Sequence, residues 1–159
     1  MVDLRTRAWT IAAQVVDPEI PVLTIEDLGI LRTVTITDGT IEVAITPTYS
    51  GCPAMTTIAL DVELALARAN LAPARVITIL SPAWTTDWLT NAGRVKLLAY
   101  GIAPPPAAGR RALFSTETIS CPRCAATDTE KLSEFGSTSC KALWRCLACR
   151  EPFDVFKCH

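Results

Sequence analysis

Two closely spaced pairs of cysteines constrain the fold of this 159-residue chain more than any other feature. Cys121 and Cys124 form the first pair, Cys146 and Cys149 form the second, and 21 residues lie between the pairs. Two Cys-x-x-Cys turns can each offer two thiolates to one tetrahedral ion, while the residues between them form strands. The spacing therefore predicts a zinc ribbon over residues 119–159, with one structural zinc ion bound by these four sulfur atoms.

Two other roles for the paired cysteines stay open at this level. An iron–sulfur cluster also takes four thiolates. Two disulfides would use the same residues, although a reducing compartment favours metal binding. A module of about 41 residues buries little apolar surface, so a bound metal would supply much of its folding free energy. We interpret Cys140 and Cys158 as packed thiols, the alternative being a second redox-active or metal-binding pair, and His159 as a solvated terminal residue.

The charge balance and the hydropathy pattern limit the classes of partner. The chain has 15 basic and 16 acidic residues, so neither nucleic acid nor a membrane surface is an expected partner. Residues 119–159 carry six basic and five acidic side chains, which favours a structural or protein-docking ribbon. No run of about 18 apolar residues occurs, and the N-terminus lacks the apolar core of a signal peptide. The expected location is the cytoplasm.

Periodic patterns in the N-terminal part of the chain predict an α/β domain. Apolar residues recur at helical spacing over residues 4–15 and again over residues 55–69. Between these helices, alternating residues around Asp38-Gly39 predict a two-stranded β-hairpin. Residues 76–80 predict a third strand, which should run parallel to the hairpin's second strand because a helix separates the two. The predicted fold class is therefore α/β (α+β), with a small mixed sheet and a C-terminal zinc ribbon.

The composition changes after a further helix, or pair of short helices, predicted over residues 86–100. Residues 103–109 read APPPAAG, which is too rich in proline and alanine for a core segment. Beyond this segment cysteine becomes dense and long apolar faces are missing. We therefore expect an α/β domain over residues 1–102, a Pro/Ala-rich linker over residues 103–118 and the ribbon over residues 119–159.

The seventh cysteine, Cys52, stands alone between the predicted hairpin and the helix that follows it. Pro53 suits the first helical position, which would make Cys52 the N-cap residue beside the positive end of the helix dipole. That environment lowers a thiol pKa, and Gly51 would leave the sulfur accessible. The alternative is a small buried apolar residue in a turn. A papain-like thiol enzyme would need a histidine base, and the only histidine is His159.

Three separated motifs resemble those of small iron–sulfur cluster assembly factors. The motifs are DPEIP at residues 17–21, DLGI at residues 27–30 and TPTYSGCPA at residues 46–54. The resemblance implies a small α/β sandwich in which Cys52 handles iron or a cluster. It further implies supporting residues, namely two carboxylates in the same site and small residues that shape its loop: Asp17, Glu19, Thr46, Thr48 and Gly51.

The rest of the chain narrows the resemblance. Similarity to D subunits of bacterial phenylacetyl-CoA 1,2-epoxidase systems is carried by PAWTTDWLTNAGRVKLLAYGIAPP, GSTSCKALWRC and the terminal EPFDVFKCH. This resemblance implies aerobic phenylacetate degradation beside the oxygenase and reductase components, and it is compatible with a homo-oligomer. The chain would then be an accessory subunit without catalytic activity of its own.

Two functional hypotheses follow from these patterns. In the first, the chain is a maturation factor that transiently holds iron or an Fe–S cluster at Cys52, with zinc as its structural cofactor. In the second, it is a non-catalytic structural subunit of the oxygenase complex, and Cys52 is inert. A direct di-iron oxygenase role is the least favoured function, because the sequence contains no Glu-x-x-His pair and its only histidine is terminal.

Overall fold

The structure, a computed structural model, describes residues 2–106 and 118–157. The chain divides into two compact units, Met1–Trp84 and Thr85–His159, each of which is described by itself. Most of the predicted linker over residues 103–118 lies outside the described residues.

The first unit contains two helices and a three-stranded sheet. The sheet has the strand order β1-β2-β3, with β2 in the centre. In chain order the elements are α1 (Leu4–Ala12), β1 (Leu31–Thr37), β2 (Thr40–Ile45), α2 (Ala54–Arg68) and β3 (Ala74–Thr78).

The predicted hairpin is confirmed as β1 and β2, which pair antiparallel. Its turn is Asp38-Gly39, with φ values of 51° and 77°. Two consecutive residues with positive φ make a turn whose twist matches that of the flanking strands, and Asp-Gly adopts this conformation readily. A local preference of two residues thus sets the register of the pair, from Thr37 opposite Thr40 onward.

Helix α2 carries the chain from β2 to β3, so β3 runs parallel to β2 as predicted. The helix buries one narrow face, formed by Ala54, Ile58, Val62 and Leu66 at a spacing of four residues. Its Glu63 side chain accepts a hydrogen bond of 3.0 Å from the backbone N–H of Val76 in the edge strand β3. A carboxylate therefore satisfies a donor that the edge of the sheet would otherwise leave open.

Helix α1 ends earlier than the apolar pattern predicts. Its N-cap Asp3 accepts hydrogen bonds from two backbone N–H groups of the first turn. The helix ends at Ala12, and after the C-cap Ala13 only i→i−3 hydrogen bonds remain, up to the N–H of Val15. The Val15 carbonyl accepts a hydrogen bond of 2.8 Å from the N–H of Ile25. The segment before the two prolines is thus tied to a later loop, so a tertiary hydrogen bond overrides the helical spacing.

The second unit combines a short helical segment with a four-stranded sheet of order β4-β7-β6-β5. Strand β4 pairs parallel with β7, which joins the end of the predicted first domain to the sheet of the ribbon. The apolar core includes Ile119, Trp144, Phe153 and Val155. The elements are a 3-10 helix (Thr86–Trp88), α3 (Asn91–Ala99), β4 (Ile102–Ala103), β5 (Thr129–Ser133), β6 (Lys141–Cys146) and β7 (Pro152–Phe156).

The pair of short helices predicted over residues 86–100 is present, and side chains fix both ends of the segment. Thr90 caps α3 by accepting a hydrogen bond of 2.9 Å from Gly93. The Arg94 guanidinium donates to the carbonyls of Thr86 and Pro105, at 2.9 and 2.6 Å. In the part of the chain that the structure describes, no helix has both the length and the apolar character needed to cross a membrane.

Candidate functional site

The cysteine pairs of the second unit meet in one cluster. The sulfur atoms of Cys121, Cys124, Cys146 and Cys149 all lie within 4.8 Å of one another. Two of the Sγ–Sγ distances are 3.8 Å (Cys121 to Cys149) and 3.5 Å (Cys124 to Cys146). A tetrahedral zinc ion with Zn–S bonds of about 2.3 Å separates its sulfur ligands by about 3.8 Å. The four side chains therefore fit a single tetrahedral ion.

Each of the two Cys-x-x-Cys turns directs a backbone N–H at the sulfur of its first cysteine. In the first turn the Arg123 N–H donates to Cys121 Sγ at 3.4 Å, and in the second the Cys149 N–H donates to Cys146 Sγ at 3.4 Å. Each turn ends in a non-glycine residue with positive φ, Ala125 at 61° and Arg150 at 65°. Backbone donors aimed at sulfur stabilise the thiolate form, which is the form that binds metal.

The thiol pKa values respond to these donors and to the crowding of the sulfur atoms. The backbone N–H of Cys149 is the main cause that lowers the pKa of Cys146 to about 7. The Glu151 N–H lowers the pKa of Cys149, but burial and the neighbouring thiols outweigh it and raise that pKa to about 12. Because thiolates and not thiols bind metal, a metal ion that binds here displaces protons, and its affinity depends on pH.

The geometry separates the alternatives that the spacing left open. All six cysteines in the described ranges are free thiols, so the disulfide alternative is not what the structure shows. In an iron–sulfur cluster the four thiolates are divided among two or four iron atoms, whereas four sulfurs that all lie within 4.8 Å of one another suit one ion. Cys140 is buried, with its Sγ 3.0 Å from the hydroxyl of Thr138, in agreement with the packed-thiol interpretation. Cys158 and His159 lie outside the described residues.

Cys52 lies in the first unit, just before α2, but it is not the N-cap residue. The helix begins at Ala54, and Pro53 occupies the capping position without a side-chain hydrogen bond. The carbonyl of Cys52 accepts a hydrogen bond of 3.3 Å from Met55. Gly51 has a φ of 81°, which fits the tight turn that the sequence predicts there.

The expectation of an acidified Cys52 thiol is wrong. Burial is the main cause that raises the pKa of the Cys52 thiol above its ordinary value of 9.0. The Ala54 N–H and a hydrogen bond from the Tyr49 side chain lower the pKa, and the negative charges of Glu19 and Asp17 raise it. The sequence-based expectation included only the helix terminus, which lowers a thiol pKa. It did not include desolvation or the two carboxylates, which raise the pKa.

The structure brings Asp17 and Glu19 near enough to Cys52 for their charges to act on its thiol. Asp17 is buried, and its Oδ1 accepts hydrogen bonds from the backbone N–H groups of Glu19 and Ile20, at 2.7 and 2.9 Å. These bonds hold the DPEIP turn in place. Two negative charges thus act on the Cys52 sulfur, which favours a cation and opposes an anionic ligand there.

The two threonines of the motif are both buried, with Thr46 exposing 2% and Thr48 8% of their surfaces. The backbone N–H of Thr46 donates to the Ile30 carbonyl at 2.9 Å, just beyond β2. Within the described residues, its Oγ1 is a buried side-chain oxygen for which no hydrogen-bond partner is found. A buried hydroxyl without a hydrogen bond costs about 1–3 kcal/mol, so the Thr46 side chain lowers the stability of the unit at this position.

Sequence reasoning missed Tyr49 as a residue of this site. Its side chain hydrogen-bonds to Cys52, three residues away across the Gly51 turn. The signal was present in TPTYSGCPA, because a chain reversal at a glycine brings a residue on one side of the turn back toward the other.

Alkylation of Cys52 at neutral pH should be slower than that of an unstructured cysteine peptide. A raised pKa leaves less thiolate at a given pH below it. Glu19→Gln and Asp17→Asn should each speed the reaction, because each removes a negative charge that opposes the thiolate. A pH–rate profile with iodoacetamide, read by mass spectrometry, measures this. Asp61→Asn, on the exposed face of α2, is the control and should change nothing. Unaltered rates in both site variants would contradict the described charge environment.

Gly51→Ala should lower the free energy of unfolding of the first unit by about 1–2 kcal/mol, the cost of a side chain at positive φ. An added Cβ would contact no atom within 4 Å, so the cost comes from the backbone and not from steric overlap. Gly51→Asn should recover part of the loss, since asparagine tolerates this conformation. Urea unfolding monitored by amide hydrogen exchange gives both values. Equal losses for alanine and asparagine would argue against the left-handed turn.

Two family models match separate parts of the chain. The model described as an iron-sulfur cluster assembly protein matches residues 7–79, which contain the Cys52 site. The model described as the PaaD zinc beta ribbon domain matches residues 105–157, which contain the four clustered cysteines. Both matches agree with the folds described above.

Solved structures resemble the first part of the chain. The crystal structure of a domain of unknown function from Bacillus anthracis is 23% identical, with a TM-score of 0.55, and the match covers 59% of this chain and 91% of that one. That likeness supports the fold. A solution structure from Mycobacterium tuberculosis, of a protein described as associated with Fe–S complex assembly and repair, is 29% identical. It covers 60% of this chain and 81% of that one, and its TM-score of 0.36 adds nothing to the assignment.

A curated relative spans nearly the whole chain. An Escherichia coli protein, provisionally named as the D subunit of 1,2-phenylacetyl-CoA epoxidase, is 49% identical over 150 residues, which cover 94% of this chain and 90% of the relative. The motifs on which the resemblance was based lie in both units, and the relative matches both. The chain therefore belongs to the family of phenylacetyl-CoA epoxidase D subunits, with an iron–sulfur assembly-type domain followed by a zinc ribbon.

Proposed function

We propose that this chain is a maturation component of a phenylacetyl-CoA epoxidase system, and that Cys52 transiently holds iron or an Fe–S cluster for delivery. The observation that carries the proposal is that the negative charges of Glu19 and Asp17 act on the Cys52 thiol. A thiol that is hard to ionise alone becomes a good ligand when a cation offsets the charges around it.

The same arrangement supports transient and not permanent binding. Cys52 offers one soft ligand, and the carboxylates of Asp17 and Glu19 offer hard oxygen ligands, a mixed set that iron accepts. One oxygen of Asp17 is already engaged by two backbone N–H groups, which leaves the other for a metal. Few protein ligands leave coordination positions to a receiving protein, so the cargo can be passed on.

We assign zinc to the second unit as a structural cofactor. The support is the compact sulfur cluster of Cys121, Cys124, Cys146 and Cys149, together with the match of a zinc ribbon family to this region. When bound, the ion would supply folding free energy and no chemistry on the cargo, because four protein thiolates leave no open position.

The client proteins in this proposal are the oxygenase and reductase components of the epoxidase, in the cytoplasm. The support is the name of the Escherichia coli relative, which describes a subunit of such an enzyme. The near balance of 15 basic and 16 acidic residues gives no reason to expect nucleic acid or membrane as an additional partner.

Anaerobic reconstitution with ferrous iron and sulfide tests the proposal directly. The wild type should take up iron beyond its zinc, and Cys52→Ser should lose that uptake while its zinc content stays unchanged. Cys140→Ser is the matched control, because Cys140 is a buried thiol of the second unit that belongs to neither cysteine site. Incubation of the loaded protein with apo reductase and apo oxygenase then identifies the client. Equal iron uptake by the wild type and Cys52→Ser would refute the role of Cys52.

A second candidate is the non-catalytic structural subunit, in which Cys52 is inert. The observation that favours it is the burial that raises the pKa of the Cys52 thiol. Under this alternative the Cys52→Ser protein still assembles with the epoxidase components and supports their full activity. Iron uptake by Cys52→Ser, and growth on phenylacetate of cells that carry it, therefore separate the two functions.

A further inference from the structure

A cavity of about 170 Å³ lies in the second unit, and none of the residues that line it is a cysteine. Its apolar wall includes Ile119, Trp144 and Val155, which expose only 3%, 6% and 5% of their surfaces. An apolar cavity of about 150 Å³ accommodates one benzene molecule. The volume therefore suits a single six-membered ring or a branched chain of similar size.

Charged side chains form one edge of this cavity. Lys131 Nζ lies 3.0 Å from Glu134 Oε1, and Lys157 Nζ lies 3.8 Å from Glu134 Oε2. One carboxylate thus lies between two ammonium groups, which leaves the edge with net positive charge. The Lys131 ammonium is also 5.7 Å from the centroid of the Trp144 ring, so charge and apolar wall are adjacent.

The three charged side chains differ in how much of their surface is exposed. The Lys157 side chain is 18% exposed, and it also donates to the backbone carbonyl of Glu134 and lies 4.3 Å from the centroid of the Phe135 ring. The Glu134 side chain is 64% exposed, and it can swing into solvent at low cost. The Lys131 side chain is 39% exposed, so the Glu134 carboxylate is the most exposed of the three charged groups and the one that a ligand carboxylate could replace.

We infer that this cavity binds a small organic carboxylate with an aromatic or similarly compact apolar body. The apolar body would pack against Trp144 and Val155, and the carboxylate would take the place of the Glu134 side chain between Lys131 and Lys157. A cationic ligand of the same shape would meet two ammonium groups, and a short carboxylate without a ring would leave the apolar wall uncovered. The inference concerns a site in the second unit and does not depend on the proposed role of Cys52.

Titration of the zinc-loaded full chain with phenylacetate, followed by ¹H–¹⁵N NMR, tests the inference. The indole N–H signal of Trp144 should shift and saturate with a dissociation constant of about 0.1–1 mM, as expected for so small a ligand. Two control ligands each retain one half of phenylacetate. 2-Phenylethylamine has the ring with the opposite charge, and acetate has the carboxylate without the ring. Neither should saturate in that range.

Three variants locate the carboxylate. Lys131→Gln or Lys157→Gln should weaken phenylacetate binding about fivefold, the effect of one partly exposed charge contact. Glu134→Gln should strengthen binding by a similar factor, because it removes the competing carboxylate and retains the backbone carbonyl that Lys157 contacts. Lys96→Gln, on α3 and not among the residues that line the cavity, is the control and should leave the affinity unchanged.

A variant that misfolds cannot bind phenylacetate more tightly. Stronger binding by Glu134→Gln can therefore not be explained by loss of structure. Equal binding of 2-phenylethylamine and phenylacetate would overturn the preference for an anion. Absence of any saturable shift at Trp144 would overturn the site itself. Binding that survives unchanged in both lysine variants and in Glu134→Gln would place the ligand elsewhere on the chain and would also overturn the inference.

Discussion

Removal of zinc should unfold the sheet of the second unit and leave the sheet of the first unit intact. Structural zinc bound by four thiolates contributes an apparent 10–16 kcal/mol, about as much as the whole stability of an ordinary domain. The ribbon has a small apolar core, and two of its cysteines, Cys121 and Cys146, are themselves part of that core. Without the ion, the crowded sulfur atoms lose the interaction that holds them together.

Amide hydrogen exchange before and after chelation measures this effect in each unit. Protection should disappear in β5, β6 and β7, and also in β4, because β4 pairs only with β7 in its sheet. Protection in β1, β2 and β3 should persist. Cys124→Ser should reproduce the loss in the presence of zinc, and Cys140→Ser, which removes a thiol outside the cluster, should not. A folded second unit after complete zinc removal would show that its apolar core suffices.

Cells that carry Cys52→Ser should fail to grow on phenylacetate, under the proposed function, while growth on other carbon sources stays normal. Serine has nearly the volume of cysteine, so the fold, the zinc content and partner binding should be retained. A hydroxyl is a poor substitute for a soft thiolate ligand at neutral pH, so the epoxidase components should be present but deficient in iron or cluster.

Growth curves and metal analysis of the epoxidase components purified from these cells decide the outcome. Glu19→Gln should give an intermediate defect, because it removes one cargo ligand and retains the thiol. Cys140→Ser is again the control and should grow like the wild type. Normal growth of the Cys52→Ser cells, with normal iron content in their epoxidase components, would contradict the maturation role and support the structural-subunit alternative.

Local features of the first unit could be predicted from the sequence because their causes lie within a few residues. Asp38-Gly39 determines a turn with two positive φ angles, and that turn sets the register of β1 and β2. The spacing of four residues along α2 identifies its buried face without knowledge of its partner. The parallel orientation of β3 followed from the intervening helix alone.

The chemistry of Cys52 could not be predicted in this way. The shift of its thiol pKa depends on desolvation and on Asp17 and Glu19, which are more than 30 residues away along the chain. The unpartnered hydroxyl of Thr46 is likewise visible only when every neighbouring donor and acceptor is in place. Electrostatic effects depend on distance in space and on exclusion of water, and neither quantity is contained in a local pattern.

The sequence by itself determined the elements whose geometry is encoded in short spacings: the hairpin, the central helix and the two Cys-x-x-Cys turns, each of which directs two thiols to one point. Only the tertiary structure decided that the two turns face each other with sulfurs within 4.8 Å, that β4 joins the ribbon sheet, and that the charges of Glu19 and Asp17 act on Cys52. The physical reason is the range of the interactions involved. Backbone torsion and helical periodicity act between neighbours in the chain, whereas strand pairing, burial and charge act between neighbours in space.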